Sequence, residues 1–316
     1  MIKLIWKIMV YAFLIFLVLE ALVRIFHLQN DTPTWYLDED NVYKWVPGQE
    51  GYAVYGNRRQ QFSKYHINES GYNSYTEFEP TRENIEVAIL GDSFIEGFHQ
   101  DYFNSIGKKI ENVYPGIKVY EYGHSSFDLA DQLYLHHVKK EKFSKIDLII
   151  FEVKYKNDLQ RNEYTVPPRQ VVFPLLRHSK LLVYLLNIGM VDPIKQLLRD
   201  FNIGQTPLAE RKGLIKDDKL YQENFKSLIS KYDFDKSKMT LLLDSRETNI
   251  SFLDYLEREQ IQYIDYGAQF ANNIKRNTTL IYDRHWNDYG RSLVAKSICD
   301  FLKEKKKIGL NLPIKK

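Results

Sequence analysis

The feature that most constrains the fold is a series of short β-prone runs that alternate with helical patterns. The runs comprise residues 85–90, 118–122, 147–153, 239–243 and 261–264. Helical patterns lie between them, as at residues 129–140 and 252–259. Short, nearly continuous apolar strands separated by helices indicate a parallel sheet that is covered on both faces. We therefore predict an α/β fold, a three-layer α/β/α domain of flavodoxin-like type.

The amino-terminal segment is the second strong constraint. Residues 4–23 are apolar almost throughout, with Lys7 and Glu20 near the two ends. As a helix this run spans about 30 Å, enough to cross a bilayer. Charged groups near the ends of such a helix can reach the headgroups. We predict a transmembrane anchor within residues 1–28, with a cleaved signal peptide or a buried amphipathic helix as the alternatives.

The charges around this run predict its orientation. Lys3 precedes it and Lys7 lies near its start, whereas one arginine and four acidic residues follow within residues 24–40. The positive-inside rule then leaves the amino terminus in the cytoplasm and the rest of the chain extracytoplasmic, on the periplasmic side in a Gram-negative cell.

The remaining chain divides into a lead-in and one large domain. Residues 29–80 are rich in Asn, Gly, Tyr and Pro and predict short strands and turns. Residues 81–308 carry the alternating pattern, which residues 160–236 interrupt with a predicted helical insertion. That insertion contains an apolar stretch at residues 175–186, in which residues 181–186 are too short for a second membrane span.

Composition excludes several function classes. The net charge is +3, from 44 basic and 41 acidic residues, and gives no reason to expect nucleic acid as a partner. One cysteine, Cys299, excludes an intrachain disulfide and a cysteine-based zinc site. The sequence shows neither metal-ligand spacing nor a glycine-rich phosphate loop, so we predict no metal and no cofactor. We expect Cys299 to be a small buried hydrophobe.

Two motifs could form a nucleophilic site. Gly91-Asp92-Ser93 directly follows the first strand run, and Asp283-Arg284-His285 precedes a helical pattern at residues 292–304. A serine hydroxyl needs an imidazole to take its proton, and the imidazole needs a carboxylate to fix its tautomer. Ser93, His285 and Asp283 supply that set, although either motif alone is weak.

Two further fragments fit an oxyanion hole. Gly123 ends the second strand run, where a glycine lets backbone N–H groups approach a substrate closely. Asn157 follows the third run and offers a side-chain amide. Each fragment alone is more commonly an ordinary turn.

The order of these four blocks resembles the SGNH/GDSL hydrolase family, over roughly residues 60–305. The resemblance implies that Ser93 is the nucleophile, His285 its base and Asp283 the partner of that base. It also implies an oxyanion hole formed by the N–H groups of Ser93 and Gly123 and the amide of Asn157.

The sequence departs from the family pattern in two places. Tyr155 stands two places before Asn157, where many members have glycine. One residue separates Asp283 from His285, where the commoner esterase pattern has two. The sequence Asp-x-His-Trp instead resembles the branch of exopolysaccharide O-acetyltransferases.

This resemblance implies a serine-dependent O-acyl esterase acting on extracytoplasmic carbohydrate esters, or an O-acetyltransferase. The expected partners are an acylated carbohydrate, the membrane, and membrane proteins of a polysaccharide-assembly system. Two alternatives stay open: a catalytically silent glycan-binding or scaffold protein, and a lipase or thioesterase with residues 175–186 as a lid.

The other histidines are weaker candidates. His99 and His124 could line a pocket, but we favour a structural or exposed role for each. His136 and His137 lie on a predicted helix beside two lysines, and we expect both to be solvated.

Overall fold

A computed structural model of the chain describes residues 2–56, 59–166, 178–190 and 217–307. The described residues form two compact units. The first contains residues 2–32, 52–56, 59–62 and 178–190, and the second contains residues 33–51, 63–166 and 217–307.

The strands in chain order are β1 (Trp35–Leu37), β2 (Tyr43–Trp45), β3 (Glu50–Tyr55), β4 (Gln61–His66), β5 (Ile85–Gly91), β6 (Ile117–Gly123), β7 (Leu148–Glu152), β8 (Met239–Leu243) and β9 (Tyr263–Asp265). The helices are α1 (Ile2–Ile25), α2 (Ser93–Glu96), α3 (Ile106–Val113), α4 (Leu129–Val138), α5 (Lys140–Phe143), α6 (Tyr155–Asp158), α7 (Lys180–Asn187), α8 (Asp218–Lys231), α9 (Ile250–Arg258), α10 (Gly267–Ala271) and α11 (Asp288–Lys307), with a 3₁₀ turn at Tyr102–Asn104.

The second unit is built on a five-stranded sheet in the order β6-β5-β7-β8-β9, and every neighbouring pair is parallel. Numbered by appearance within this sheet, the order is 2-1-3-4-5, which is the flavodoxin-like arrangement. The predicted sheet is confirmed. In this arrangement the chain leaves β5 in one direction and returns to its other side with β7, so a crevice opens at the carboxyl ends of these two strands.

Both faces of the sheet are covered by helices. Along β5, Val87 and Ile89 belong to a buried cluster with residues of α3 and α11, whereas Ala88 and Leu90 belong to one with residues of α4, α8 and α9. Alternate residues of a strand point to opposite faces, which accounts for this division. The predicted three-layer α/β/α architecture is therefore confirmed.

The lead-in contains two small sheets, one formed by β1 and β2 and one by β3 and β4. Trp45, at the end of β2, donates its indole N–H to Glu96 Oε1 at 2.8 Å. This bond joins the lead-in to the helix that follows β5, within the second unit.

In the first unit, α1 is the described helix that is long and apolar enough to cross a membrane. Glu20, the acidic residue of this helix, accepts hydrogen bonds from the Ser179 hydroxyl and from the N–H groups of Lys180 and Leu181. Glu20 therefore satisfies the unpaired N–H groups at the start of α7. Part of the predicted insertion, at residues 167–177 and 191–216, lies outside the described residues, including the beginning of the apolar stretch 175–186.

One expectation about the histidines is wrong. His136 is only 6% exposed. Its ring packs against Phe143 and Phe151 at centroid distances of 5.4 and 6.3 Å. The side of α4 that bears His136 faces the sheet, so His136 is buried although two lysines lie close to it in sequence. His137 is exposed and Cys299 is buried, as expected.

Candidate active site

Ser93 lies at the sharp turn between β5 and α2. Asp92 caps the helix by accepting a hydrogen bond from Phe94 N at 2.9 Å. A Cβ atom on Gly91 would lie 2.3 Å from Ile95 Cγ1, so glycine is needed for the chain to turn back this tightly. The turn places the Ser93 side chain at the carboxyl end of β5, beside the crevice of the sheet.

Two side chains distant in sequence meet there. Ser93 Oγ lies 2.6 Å from His285 Nε2, across 192 residues of sequence. On the other side of the ring, His285 Nδ1 forms a short hydrogen bond with Asp283 Oδ1. The backbone N–H of His285 also donates to Asp283 Oδ1, at 3.1 Å. The three residues of the predicted set are thus connected in a chain of hydrogen bonds.

The loop that carries His285 is fixed by its neighbour Trp286. Trp286 is 3% exposed and packs edge-on against Phe94 and Tyr266, with ring centroids 4.7 and 5.1 Å away. Its carbonyl oxygen accepts a hydrogen bond from the Gln100 side chain at 3.3 Å. A buried indole of this size holds the loop against the sheet and so sets the position of the imidazole.

The environment tunes both members of the His-Asp pair. Burial lowers the pKa of His285, and the adjacent Asp283 carboxylate only partly opposes this effect. Burial disfavours ionisation of Asp283, but its hydrogen bonds with His285 outweigh that effect and the pKa of Asp283 is lowered. At neutral pH the imidazole is therefore neutral and able to take a proton, while the carboxylate is ionised.

Of the three predicted oxyanion donors, two lie at the carboxyl edge of the sheet in positions that fit the role. Ser93 is the first residue of α2, where a helix leaves its N–H groups without intrahelical acceptors. Asn157 is exposed in α6, just after β7, at the same edge of the sheet.

Gly123 is oriented unfavourably for this role. The N–H of His124 donates to Gly91 O at 3.1 Å, so the preceding N–H, that of Gly123, points to the other side of β6, away from β5. A Cβ atom on Gly123 would lie 2.0 Å from Glu96 N. Gly123 is needed for the close packing of β6 against α2, and its predicted contribution to an oxyanion hole is not supported.

Sequence reasoning missed a cluster of charged residues next to Ser93, at the carboxyl ends of β5 and β7. Lys154 forms an ion pair with Asp92, lies 3.6 Å from Glu152 Oε1, and its ammonium sits 3.6 Å above the Phe94 ring. Its backbone N–H donates to Asp158 Oδ2 at 2.7 Å. Burial raises the pKa of Glu152 to about 7 and that of Asp158 well above its usual range. The cluster joins the loops after β5 and β7. In the sequence, the sign of such a cluster was Glu152, an acidic residue at the end of an apolar strand.

A second missed residue is Glu96, which is buried at the end of α2. Besides the Trp45 indole, it binds Ser125 through the backbone N–H at 3.0 Å and through the hydroxyl. The next residue, Ser126, has a φ of +73°, a conformation that favours glycine. Glu96 therefore holds the loop after β6 in a conformation that its own residues do not prefer.

The two pocket histidines have different surroundings. His99 lies in the site: its Nε2 is 3.2 Å from Asp283 Oδ2, and its ring stacks on His285 with a centroid distance of 3.5 Å. His124 is fully buried and stacks between Trp45 and Phe127. The favoured structural role therefore fits His124.

Among the described residues, His99, Asp283 and His285 form a group that could in principle hold a metal ion, because one ligand atom of each lies within 4.8 Å of the others. These atoms already contact each other, and a metal ion would have to displace those contacts. The absence of a metal stays a prediction.

A cavity of about 430 Å³ lies at this edge of the sheet. Its lining includes immediate sequence neighbours of Ser93 and His285 together with Asn157. The lining residues are Phe94, Val153, Lys154, Tyr155, Lys156, Asn157, Asp244, Arg246, Glu247, Thr248, Tyr266, Phe270, Thr278, Thr279, Arg284 and Trp286. The lining thus combines aromatic rings with charged and hydroxyl groups.

No protein-family model matches the sequence, and no curated protein matches it. Solved structures with a similar fold include a lipolytic protein of the G-D-S-L family from Veillonella parvula DSM 2008, at 13% identity and a TM-score of 0.40, with 69% of this chain and 98% of that chain covered. The psychrotrophic esterase EstA from Pseudoalteromonas sp. is 12% identical, with a TM-score of 0.43 and coverage of 71% and 100%. An acetylxylan esterase from Geobacillus stearothermophilus is 15% identical, with a TM-score of 0.38 and coverage of 71% and 96%. The roles of individual residues rest on the geometry of the site.

Proposed function

We propose that this protein is a serine-dependent O-acyl esterase or O-acetyltransferase of the SGNH/GDSL type. One observation carries the proposal: Ser93 Oγ lies 2.6 Å from His285 Nε2, while the opposite ring nitrogen is bound to Asp283. A hydroxyl, an imidazole and a carboxylate in this order can carry out nucleophilic acyl transfer.

The mechanism has two acyl-transfer steps. His285 Nε2 takes the proton of Ser93 as Oγ attacks the ester carbonyl, and the imidazolium that forms is stabilised by Asp283. Collapse of the tetrahedral intermediate leaves the acyl group on Ser93, while His285 returns the proton to the departing alcohol. Water or a sugar hydroxyl then attacks the acyl-enzyme, with His285 again as base.

The developing oxyanion requires donors at the carboxyl ends of β5 and β7. The N–H of Ser93 and the side-chain amide of Asn157 are the two that the geometry supports. Both come from short helices that start directly after their strands. Helix α2 fixes the backbone N–H of Ser93 before charge develops, which is the condition for electrostatic stabilisation of the transition state, and α6 carries the amide of Asn157 to the same edge of the sheet.

The lining of the cavity favours a carbohydrate ester over a long acyl chain. Asp244 and Arg246 are paired at 2.6 Å, and threonine, lysine and asparagine groups share the chamber with the rings of Tyr266 and Phe270. Aromatic faces combined with hydrogen-bonding groups suit a sugar ring, whereas an acyl chain needs a mainly apolar channel.

The apolar helix α1 helps to predict on which side of the membrane the enzyme would encounter its substrate. If α1 spans the membrane with the amino terminus inside, the site faces exported glycans. We propose an acylated carbohydrate as substrate, the membrane as the site of attachment, and membrane proteins of a polysaccharide-assembly system as partners.

Ester preference tests the proposal. The full chain in detergent should release acetate from p-nitrophenyl acetate and from acetylated oligosaccharides, and should act poorly on p-nitrophenyl laurate. Ser93→Ala should retain the fold by circular dichroism and lose nearly all activity. A preference for laurate would support a lipase, and activity of Ser93→Ala equal to wild type would refute the proposed nucleophile.

A further inference from the structure

Asp283 is shared by two imidazole rings. Its Oδ1 binds His285, while its Oδ2 lies 3.2 Å from Nε2 of His99. His99 lies on the turn between α2 and the 3₁₀ turn at Tyr102–Asn104 and is 4% exposed. Its ring is stacked on that of His285, with centroids 3.5 Å apart and planes inclined by 20°.

The charges around His99 determine its protonation. Burial is the largest of the effects that lower the pKa of His99 to about 3; the charges of His285 and Arg291 act in the same direction, and Asp283 opposes them. The ring is therefore neutral at physiological pH. Because an ionised carboxylate only accepts hydrogen bonds, the 3.2 Å contact requires the proton of this neutral ring to lie on Nε2.

We propose that His99 is a positioning residue, which donates its Nε2–H to Asp283 Oδ2 and stacks on His285 so that Nε2 of His285 faces Ser93. The proposal rests on the proposed function, since it assigns a role within the same acyl-transfer site. The contacts that carry this role are those of His99 with Asp283 and His285.

This arrangement has two consequences for His285. The Nε2–H of His99 draws charge from the carboxylate, so its removal should make Asp283 a stronger acceptor and raise the pKa of His285. It also matters that His99 is uncharged. A cation whose ring lies 3.5 Å from that of His285 would destabilise the imidazolium that forms when His285 takes the serine proton. The other charged groups that face His285 are Asp92 and Lys154, and neither changes in these variants.

A test that does not depend on turnover uses the full chain in detergent, labelled with ¹⁵N-histidine. The chain has eight histidines, and the variants below identify the two resonance sets. His99 should show the neutral Nε2–H form, unchanged from about pH 5 to about pH 8. Titration of His99 in that range, or a proton on Nδ1, would overturn the proposal.

Three substitutions separate positioning from simple support of the fold. His99→Phe keeps the stacked ring and loses the donor, His99→Gln keeps an N–H donor and loses the ring, and His136→Phe is the matched control at a buried histidine of α4. In His99→Phe we expect kcat to fall roughly tenfold to a hundredfold with KM within about twofold, and the acidic limb of the pH profile to move to higher pH. His99→Gln should recover part of kcat and return the acidic limb towards that of wild type, while His136→Phe should match wild type in both.

The two proposals can fail separately. If wild type neither hydrolyses esters nor acylates Ser93, the proposed function fails, while the ¹⁵N titration still decides the state of His99. If wild type is active and His99→Phe keeps its kcat and pH profile, the positioning role fails alone. An equal loss in His136→Phe would show that any buried histidine supports activity through the fold, which contradicts the proposal.

Discussion

At the residue scale, the site depends on the hydrogen bonds among four side chains and on where each proton lies. Ser93 and His285 meet at 2.6 Å, and Asp283 binds both His285 and His99. The sequence identified the first three, because a nucleophile block and a base block each have a recognisable local pattern. His99 has no such pattern, since its role arises only when a turn after α2 folds over the His285 loop.

The pH dependence of catalysis follows from the surroundings of His285. Burial lowers the pKa of His285 more than Asp283 and Asp92 raise it, and Lys154 lowers it further. The base acts when neutral, so activity is lost only as pH falls through this lowered pKa. We expect the acidic limb of kcat/KM for p-nitrophenyl acetate to have its midpoint below the ordinary imidazole value of 6.5. A midpoint at or above that value, with the chain still folded by fluorescence, would contradict this account.

At the element scale, the strands were predictable because the apolar runs are short and end at glycine or a charged residue. The five strands of the main sheet lie where the sequence predicts, and so do α4, α9 and α11. The surroundings of each helix were harder to predict. His136 is buried because α4 packs into a layer of the sandwich, and Gly123 serves packing because its N–H points away from β5. Both facts depend on neighbours that are distant in sequence.

The buried carboxyl of Glu96 provides a test of one such connection. Burial raises its pKa to about 7 from a usual 4.5, although hydrogen bonds from Ser125 and Trp45 oppose this. The folded chain then binds a proton more tightly than the unfolded chain, so the stability that this proton contributes is lost as pH rises from about 4.5 to about 7. Glutamine at this position resembles the protonated acid.

Glu96→Gln should therefore gain stability relative to wild type as pH rises across that window, with no further gain above about pH 7. Thermal unfolding at several pH values measures the difference. Glu83→Gln, at an exposed glutamate, is the control and should show no such trend. A constant difference between Glu96→Gln and wild type would argue against a raised pKa.

At the scale of the whole molecule, the sequence predicts an anchored enzyme. The structure bears on this through α1, which is apolar, exposed along most of its length and long enough to cross a bilayer. Glu20 is the acidic residue of this helix, and it accepts hydrogen bonds from the start of α7. These partners of Glu20 are distant in sequence, so no local pattern could have shown them.

Membrane attachment can be tested with the apolar helix altered at its centre. The full chain should remain in the membrane fraction after alkaline extraction, and its intact mass should show that residues 1–28 are retained. Leu14→Arg combined with Val18→Arg should release it, because each arginine at the centre of a span costs about 2.5 to 3.5 kcal/mol. The matched control, Leu14→Ile with Val18→Ile, should stay bound. A mature chain that lacks its first residues would support a signal sequence.

The central claim is that Ser93 is an activated nucleophile, and a fluorophosphonate measures this most directly. Intact mass and peptide mapping of the full chain should show one phosphonyl group per molecule, located on Ser93, with labelling slowed in His285→Ala and absent in Ser93→Ala. A folded wild-type chain that stays unlabelled, or that is labelled at another residue, would contradict the account.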